Sequence, residues 1–212
     1  MWWREIQRLE QRLAGLSTGD GPPVSASAII EDGVVLDERA GPVSIGDGTR
    51  ICAGSVLRGP IAIGANCLVG NNTMLRGPLE IGDGVRIGYA CEIKNAIVER
   101  CATIGPLCFV ADSVVEEDAY LGAMVRTSNH RLDGEPISVI HEGQAVATGR
   151  EKLGCLIGAR SALGIQVIVL PGRVIQPDCV FEPRLTISRN FPQGHYRVRQ
   201  QVECVVPEPS TK

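Results

Sequence analysis

The chain has 212 residues, of which 44% are hydrophobic but only 4% aromatic, with 25 glycines and a formal net charge of −3. That length suits one substantial domain, and few aromatics beside many glycines fit a narrow aliphatic core with many corners better than a wide sandwich or bundle. So small a charge sets up no field toward nucleic acid or anionic membrane, and no long apolar run or signal-peptide pattern is visible; the expectation is a cytoplasmic protein with no nucleic-acid partner and no membrane insertion.

Residues 1–18 are predicted to form an amphipathic helix. Trp2, Trp3, Ile6, Leu9, Leu13 and Leu16 fall on one face and Arg4, Glu5, Arg8, Glu10 and Arg12 on the other. The mixed charge favours packing on the rest of the chain or on a neighbouring subunit over lying on a membrane. Residues 19–23, Gly-Asp-Gly-Pro-Pro, read as a linker.

A period of six begins at Val24, with Ile30 and Leu36 following. After a three-residue excursion around Gly41-Pro42 it runs without a miss: Ile45, Ile51, Leu57, Ile63, Val69, Leu75, Ile81, Ile87, Ile93. Such regularity is a repeat signature. Helices place apolar residues at steps of three and four, and ordinary strands at steps of two. A step of six predicts a three-sided parallel coil with one aliphatic pointing inward from each side and three hexads per turn. The fourth residue after each aliphatic (Ser55, Ile61, Cys67, Thr73, Leu79, Val85, Cys91, Ile97) is small or apolar and is also expected to face inward. Glycine follows the aliphatic in five of nine cases (Gly46, Gly64, Gly70, Gly82, Gly88), as tight corners prefer. Eight cysteines form no Cys-x-x-Cys pair, and Cys67, Cys91, Cys108 and Cys179 take the small inward position, so reduced packing thiols are expected in place of disulfides or a metal cluster.

In one corner column glycine gives way to Arg58, Arg76 and Lys94, one coil apart; Leu57-Arg58-Gly59-Pro60 recurs as Leu75-Arg76-Gly77-Pro78. Coils stack at the strand spacing of about 4.8 Å. Like charges at that distance repel by about 3 kcal/mol at an effective dielectric near 20. The row therefore predicts either a bound phosphate or relief from nearby acids such as Glu80 and Glu92.

Past Ile93 the pattern continues with two one-residue shortenings through Val98, Ile104, Val110, Val115 and Leu121. It fails over 127–156, which is expected to be a long polar loop projecting from the scaffold, where function tends to sit. It resumes at Ile157, Leu163, Val169, Ile175 and Phe181, so the coil is assigned to 24–186 and a polar arm and tail to 187–212.

Hexads of this kind resemble the left-handed parallel β-helix of the hexapeptide-repeat acyltransferases. The left hand is implied by that resemblance, since crossover physics alone favours the right. Residues 75–172 are similar to the acetyltransferase half of the bifunctional glucosamine-1-phosphate N-acetyltransferase/N-acetylglucosamine-1-phosphate uridylyltransferases, the archaeal-type sugar-phosphate nucleotidylyltransferases above all. Carrying the likeness are Arg76, Glu92-Ile93-Lys94-Asn95, Asp112-Ser113, Leu121-Gly122-Ala123, Asn129, Asp133-Gly134 and the run from Thr148 to Gly154. The resemblance implies that Arg76 and Lys94 hold a sugar phosphate, and it implies a homotrimer with sites between neighbours. Three positions depart from the family: Pro106 stands where it has a histidine base, Phe109 where it has a tyrosine, and Tyr120 where it has an asparagine. A lost general base costs about 10²–10⁴ in rate. No glycine-rich nucleotide loop precedes the coil, which sets uridylyl transfer aside.

Two functions follow. One is a CoA-dependent acyltransferase, using acetyl-CoA, that acts on a phosphorylated or nucleotide-linked amino sugar. Arg58, Arg76 and Lys94 would grip phosphate, Asn129 would orient the sugar, and Arg150, Lys152, Arg173 and Arg184 would meet the CoA phosphates. His130 is the candidate replacement base, weighed against an idle solvated loop histidine. The other is a non-catalytic trimer that binds sugar phosphates as a sensor or assembly module. No metal is expected; His130, His141 and His195 make a poor zinc set.

Overall fold

The computed structural model describes residues 1–14 and 23–199; residues 15–18 of the expected helix, 19–22 of the linker and 200–212 of the tail lie outside the described residues. The period of six becomes a parallel β-solenoid with three faces. One face is a nine-stranded sheet, and the other two share strands within a 13-stranded sheet. Each aliphatic stacks on its counterpart one coil away: Ile51 on Val69 and Ile87 on the first face, Leu57 on Leu75 and Ile93 on the second, Ile45 on Ile63 and Ile81 on the third. All nine are buried, none more than 3% exposed. Alternation along a short strand sends the neighbours of each aliphatic outward, and parallel pairing repeats that choice at every coil.

The irregularities of the sequence map onto the register. Leu36 pairs with Leu57 across the Gly41-Pro42 excursion, Ile87 with Ile104 and Ile104 with Leu121 across the shortenings, and Leu121 stacks on Leu163 across the insertion. One inward assignment is corrected here. The register shifts between Lys94 and Ala96, so Ala96 pairs with Leu79 and enters the core while Ile97 pairs with Glu80 and turns outward. A one-residue slip in a strand moves a side chain to the opposite face. Ile97 remains buried because helix α1 (Trp2–Ala14) lies over it, with Ile6, Leu9 and Leu13 packed on Ile97 and Val114.

The segment expected as a long loop is an ordered β-hairpin. Strands Ile137–His141 and Gln144–Arg150 pair antiparallel around a turn at Glu142-Gly143, both with positive φ. Ile137, Val139 and Leu153 are buried against Trp3, so the hairpin and α1 hold each other on the third face. At the far end, Ile187 is also core and His195–Tyr196 pairs with Val180–Phe181, carrying the coil beyond residue 186. Phe181, Phe191 and Tyr196 cluster with ring centroids 4.8 to 5.7 Å apart and close that end of the prism. No helix among the described residues is long and apolar enough to cross a membrane.

Leu75 is fully buried in the prism, whereas Leu132 is fully exposed at the start of the insertion. Leu75→Ala is expected to cost about 3 kcal/mol of unfolding free energy, and Leu132→Ala less than about 0.5 kcal/mol. Urea unfolding of the two variants checks the contrast.

Candidate functional site

The register puts Arg58, Arg76 and Lys94 in one column along the edge between the second and third faces, continued by Ala111. The residues that follow turn the edge through cis Gly59-Pro60 and Gly77-Pro78 and then through Asn95 and Asp112, both with positive φ. Each cation of the column has an acidic partner. Arg58 lies 3.7 Å from Asp37, Arg76 pairs with Glu92, and Lys94 lies 3.1 Å from Asp112. Acids of the same edge thus relieve much of the repulsion within the row. Asp37 is held at about 2 by its hydrogen bonds from Arg39, with Arg58 adding a weaker pull. Arg58 and Arg76 keep roughly half their side-chain surface in solvent, so a ligand can reach their remaining N–H groups.

Lys94 is different, because it and its partner are largely out of water, with side chains 19% and 5% exposed. Asp112 gathers three donors: Lys94 Nζ at 3.1 Å, Asn95 Nδ2 at 2.5 Å and Asn129 Nδ2 at 2.6 Å. The carboxylate therefore ties the column to Asn129, where the chain leaves the coil for the hairpin, and Asn129 keeps its amide oxygen for another partner. The insertion returns to the same corner, where Leu153 N–H donates to the Asn129 carbonyl and Gly154 N–H to the Asp112 carbonyl. Only glycine fits at 154, since a Cβ there would lie 2.0 Å from Ser113 Oγ and 2.2 Å from the Ala111 oxygen. Asp112 is the hub that sequence reasoning passed over. It stood in the family motif, but nothing in its local sequence marks a carboxylate that Lys94 and Asn95 of the preceding coil will share with Asn129 of the following one.

The other expected residues divide between two edges. His130 is exposed and bridges Lys152 through the backbone, and Arg150 Nε donates to the Lys152 carbonyl, so these three sit at the base of the hairpin beside Asn129. Arg173 stands after Gly172, whose N–H donates to the Gly154 carbonyl, and so belongs to the same edge. Burial, and then the charge of Arg131, pushes Arg173 below its ordinary value, and among the described residues it forms no ion pair. Arg184 lies elsewhere, on the edge between the first and second faces. There a groove of about 390 Å³ is lined by Met124, Arg126, Gln166, Ile168, Arg184 and Thr186. Pro106 takes its place on this second edge, and Phe109 projects from the second face between Glu92 and Arg126. Tyr120 projects from the first face and is half exposed. The histidines do not converge: His141 meets Trp3 edge-on at 6.0 Å, and His195 pairs with Glu182 at 3.0 Å.

A three-faced parallel solenoid built from six-residue repeats defines the class of protein. Residues 60–95 match the bacterial transferase hexapeptide family of six repeats. The chain is 60% identical over 173 residues to an uncharacterized acetyltransferase, YaiX, of Escherichia coli O6:K15:H31 (strain 536 / UPEC), covering 82% of this chain and 75% of that one. The chain belongs to this family of hexapeptide-repeat acetyltransferases. It is 32% identical over 111 residues to a bifunctional sugar-1-phosphate nucleotidylyltransferase/acetyltransferase of Sulfurisphaera tokodaii, covering 52% of this chain and 28% of the relative. Among solved structures, a UDP-N-acetylglucosamine acyltransferase from Campylobacter jejuni aligns with a TM-score of 0.41 at 14% identity, over 79% of this chain and 68% of that chain.

Asp112→Ala should strand Lys94 and leave Asn95 and Asn129 without an acceptor. Removing one member of a mostly buried pair costs about 3–5 kcal/mol. Lys94→Met in the same chain should restore part of that loss, and a double-mutant cycle by chemical denaturation measures the recovery. In Arg39→Ala, the Asp37 carboxyl should titrate clearly above 2, read by carbon NMR. Its contribution to stability is present above the ordinary carboxylate range and fades as the pH falls through about 2.

Proposed function

We propose that this chain transfers an acetyl group from acetyl-CoA to the amine of a phosphorylated or nucleotide-linked amino sugar. The observation that carries the reading is the cluster of Lys94, Asp112 and Asn129 directly below Arg76 on one edge of the prism. A lysine ammonium has three donors and Asp112 engages one, which leaves two for a phosphate oxygen. Arg76 supplies guanidinium N–H groups one coil above, and Arg58 one coil further. The free Asn129 amide oxygen is available to a sugar hydroxyl, which would turn the amine toward the incoming thioester.

Chemistry then needs a neutral amine, a polarised thioester carbonyl and a protonated leaving thiol. Backbone N–H groups at the corners can serve the carbonyl oxygen. His130 beside Asn129 is the side chain we assign to the amine proton, in place of the base lost at Pro106. The groove at Arg184 suits the other substrate, with Met124 and Ile168 offering apolar walls to a pantetheine arm and Arg184 a charge to its phosphates. Arg150, Lys152 and Arg173 lie with the sugar-phosphate edge and are available to the CoA of a neighbouring copy.

That division supports a homotrimer. The two edges of the second face cannot converge within one copy, but packing this face against neighbours would set the groove of one copy opposite Lys94 of the next. Met74, Phe109 and Ile168 make the outward surface of this face partly apolar, as an interface requires. The seven described cysteines are free thiols, which suits a reducing cytoplasm. The second reading, a sensor or assembly module without turnover, is favoured by Pro106 and Phe109.

Acetyl-CoA and glucosamine-1-phosphate, with free thiol followed over time, separate the two. Release above the uncatalysed rate supports the transferase; measurable sugar-phosphate binding without release supports the sensor. His130→Ala should slow release by about 10²–10⁴, and an unchanged rate removes His130 from its role. Arg58→Glu with Arg76→Glu, which leaves the buried Lys94–Asp112 pair in place, should abolish sugar-phosphate binding while the sedimenting mass stays trimeric. Phe109→Asp with Ile168→Asp should reduce that mass to a monomer.

A further inference from the structure

A cavity lies on the third face, away from both edges assigned above. It occupies about 1260 Å³ between α1, the hairpin and the corners that lead back to the first face. Its floor is apolar, formed by Ile97, Val114, Leu156 and Val174. Its walls carry seven carboxylate residues against two arginines, Arg12 and Arg100. Those arginines are committed, Arg12 to Glu80 and Arg100 to Glu117 at 2.6 Å.

Asp83, Glu99, Glu116 and Glu142 form no ion pair among the described residues, and of these Glu99 and Glu116 share one column of the corner. Val98 pairs with Val115, so the two glutamates that follow stand on successive coils at about the 4.8 Å strand spacing. Gly82 and Gly158 occupy the same corner above and below them. Each accepts only a backbone hydrogen bond, Glu99 from Glu117 N–H at 3.2 Å and Glu116 from Ala159 N–H at 2.9 Å. Neither has an ion-pair partner among the described residues. Burial, and after it the charges of Glu116, Glu117 and Glu80, pushes the Glu99 carboxyl up. No group of three side chains among the described residues is arranged to hold a metal ion. Trp2 completes the wall; its indole N–H is buried and has no acceptor among the described residues.

We propose that the cavity beneath α1 binds a linear organic polycation of the polyamine class, with ammonium groups joined by short methylene spacers. A trimethylene spacer sets two nitrogens about 5 Å apart by ordinary bond lengths, close to the rise between the coils that carry Glu99 and Glu116. Methylenes would lie against the partly exposed Leu156 and Val174, and the Trp2 ring offers its face to a nearby ammonium. A compact hydrated ion matches the charge but not the apolar floor, and an anionic or neutral chain matches the floor but not the walls. Because α1 and the hairpin both border the cavity, an occupant would brace the hairpin whose base carries Asn129.

The two tryptophans of the chain, Trp2 and Trp3, both line this cavity, so intrinsic fluorescence reads it without labels. The full chain is titrated with spermine at low ionic strength, following tryptophan emission and, in parallel, heat by calorimetry. Expected is saturable binding at one site per chain, weakened at least tenfold in Glu99→Gln/Glu116→Gln and unchanged in Glu151→Gln on the opposite side of the hairpin base. Should the double variant lose its folded circular dichroism spectrum, Glu99→Gln alone is expected to weaken binding at least threefold. The proposal is overturned if Mg²⁺ at matched ionic strength competes as well as unlabelled spermidine, if the glutamine variants bind as the parent does, or if calorimetry detects no saturable binding.

Discussion

Register between coils governs this molecule. Parallel strands that rise by one strand spacing with no stagger place like positions above like positions, so each choice made in one hexad is met again by its neighbours. For the core this is favourable, since an aliphatic stacked on an aliphatic excludes water along the whole axis. At the corners it forces a decision about charge. A cation, an anion or a glycine repeated every coil becomes a column, and a column of one sign needs compensation.

The three edges resolve that requirement differently. Between the second and third faces, cations and acids share the edge, and the compensation deepens toward Asp112. Arg58 meets a carboxylate in water, whereas Lys94 meets one almost entirely out of it. Low local dielectric makes the Lys94–Asp112 contact a fixed part of the fold, while the guanidinium groups above it keep donors available. Between the third and first faces the charges are mostly acidic, and the pair Glu99–Glu116 is left without a cation of its own. The edge between the first and second faces is the least charged and most apolar, and a groove opens there beside Arg126 and Arg184.

The insertion and α1 are best understood together. Neither buries enough surface to stand alone: a 13-residue helix is marginal in water, and an isolated two-stranded hairpin is too. Packed on the third face, they share Trp3, Ile137, Val139 and Leu153 and cover Ile97 and Val114. Their placement is coupled to the site because the hairpin leaves and rejoins the coil at Asn129 and Gly154, both hydrogen-bonded to Asp112.

The sequence by itself determined the prism, the step of each coil, the inward column and the alignment of Arg58, Arg76 and Lys94, because these rest on a local period that parallel stacking copies faithfully. Even the slips at Gly41-Pro42 and after Ile93 were visible as breaks in that period. Only the tertiary structure decided that Ile97 faces outward, that residues 127–156 form a hairpin under α1, that Asp112 joins Lys94 to Asn129, and that Arg184 and Arg173 lie on different edges. Each of these depends on contacts between segments far apart in the chain, or on which of two neighbouring residues absorbs a shortened coil. A six-residue period carries no information about either.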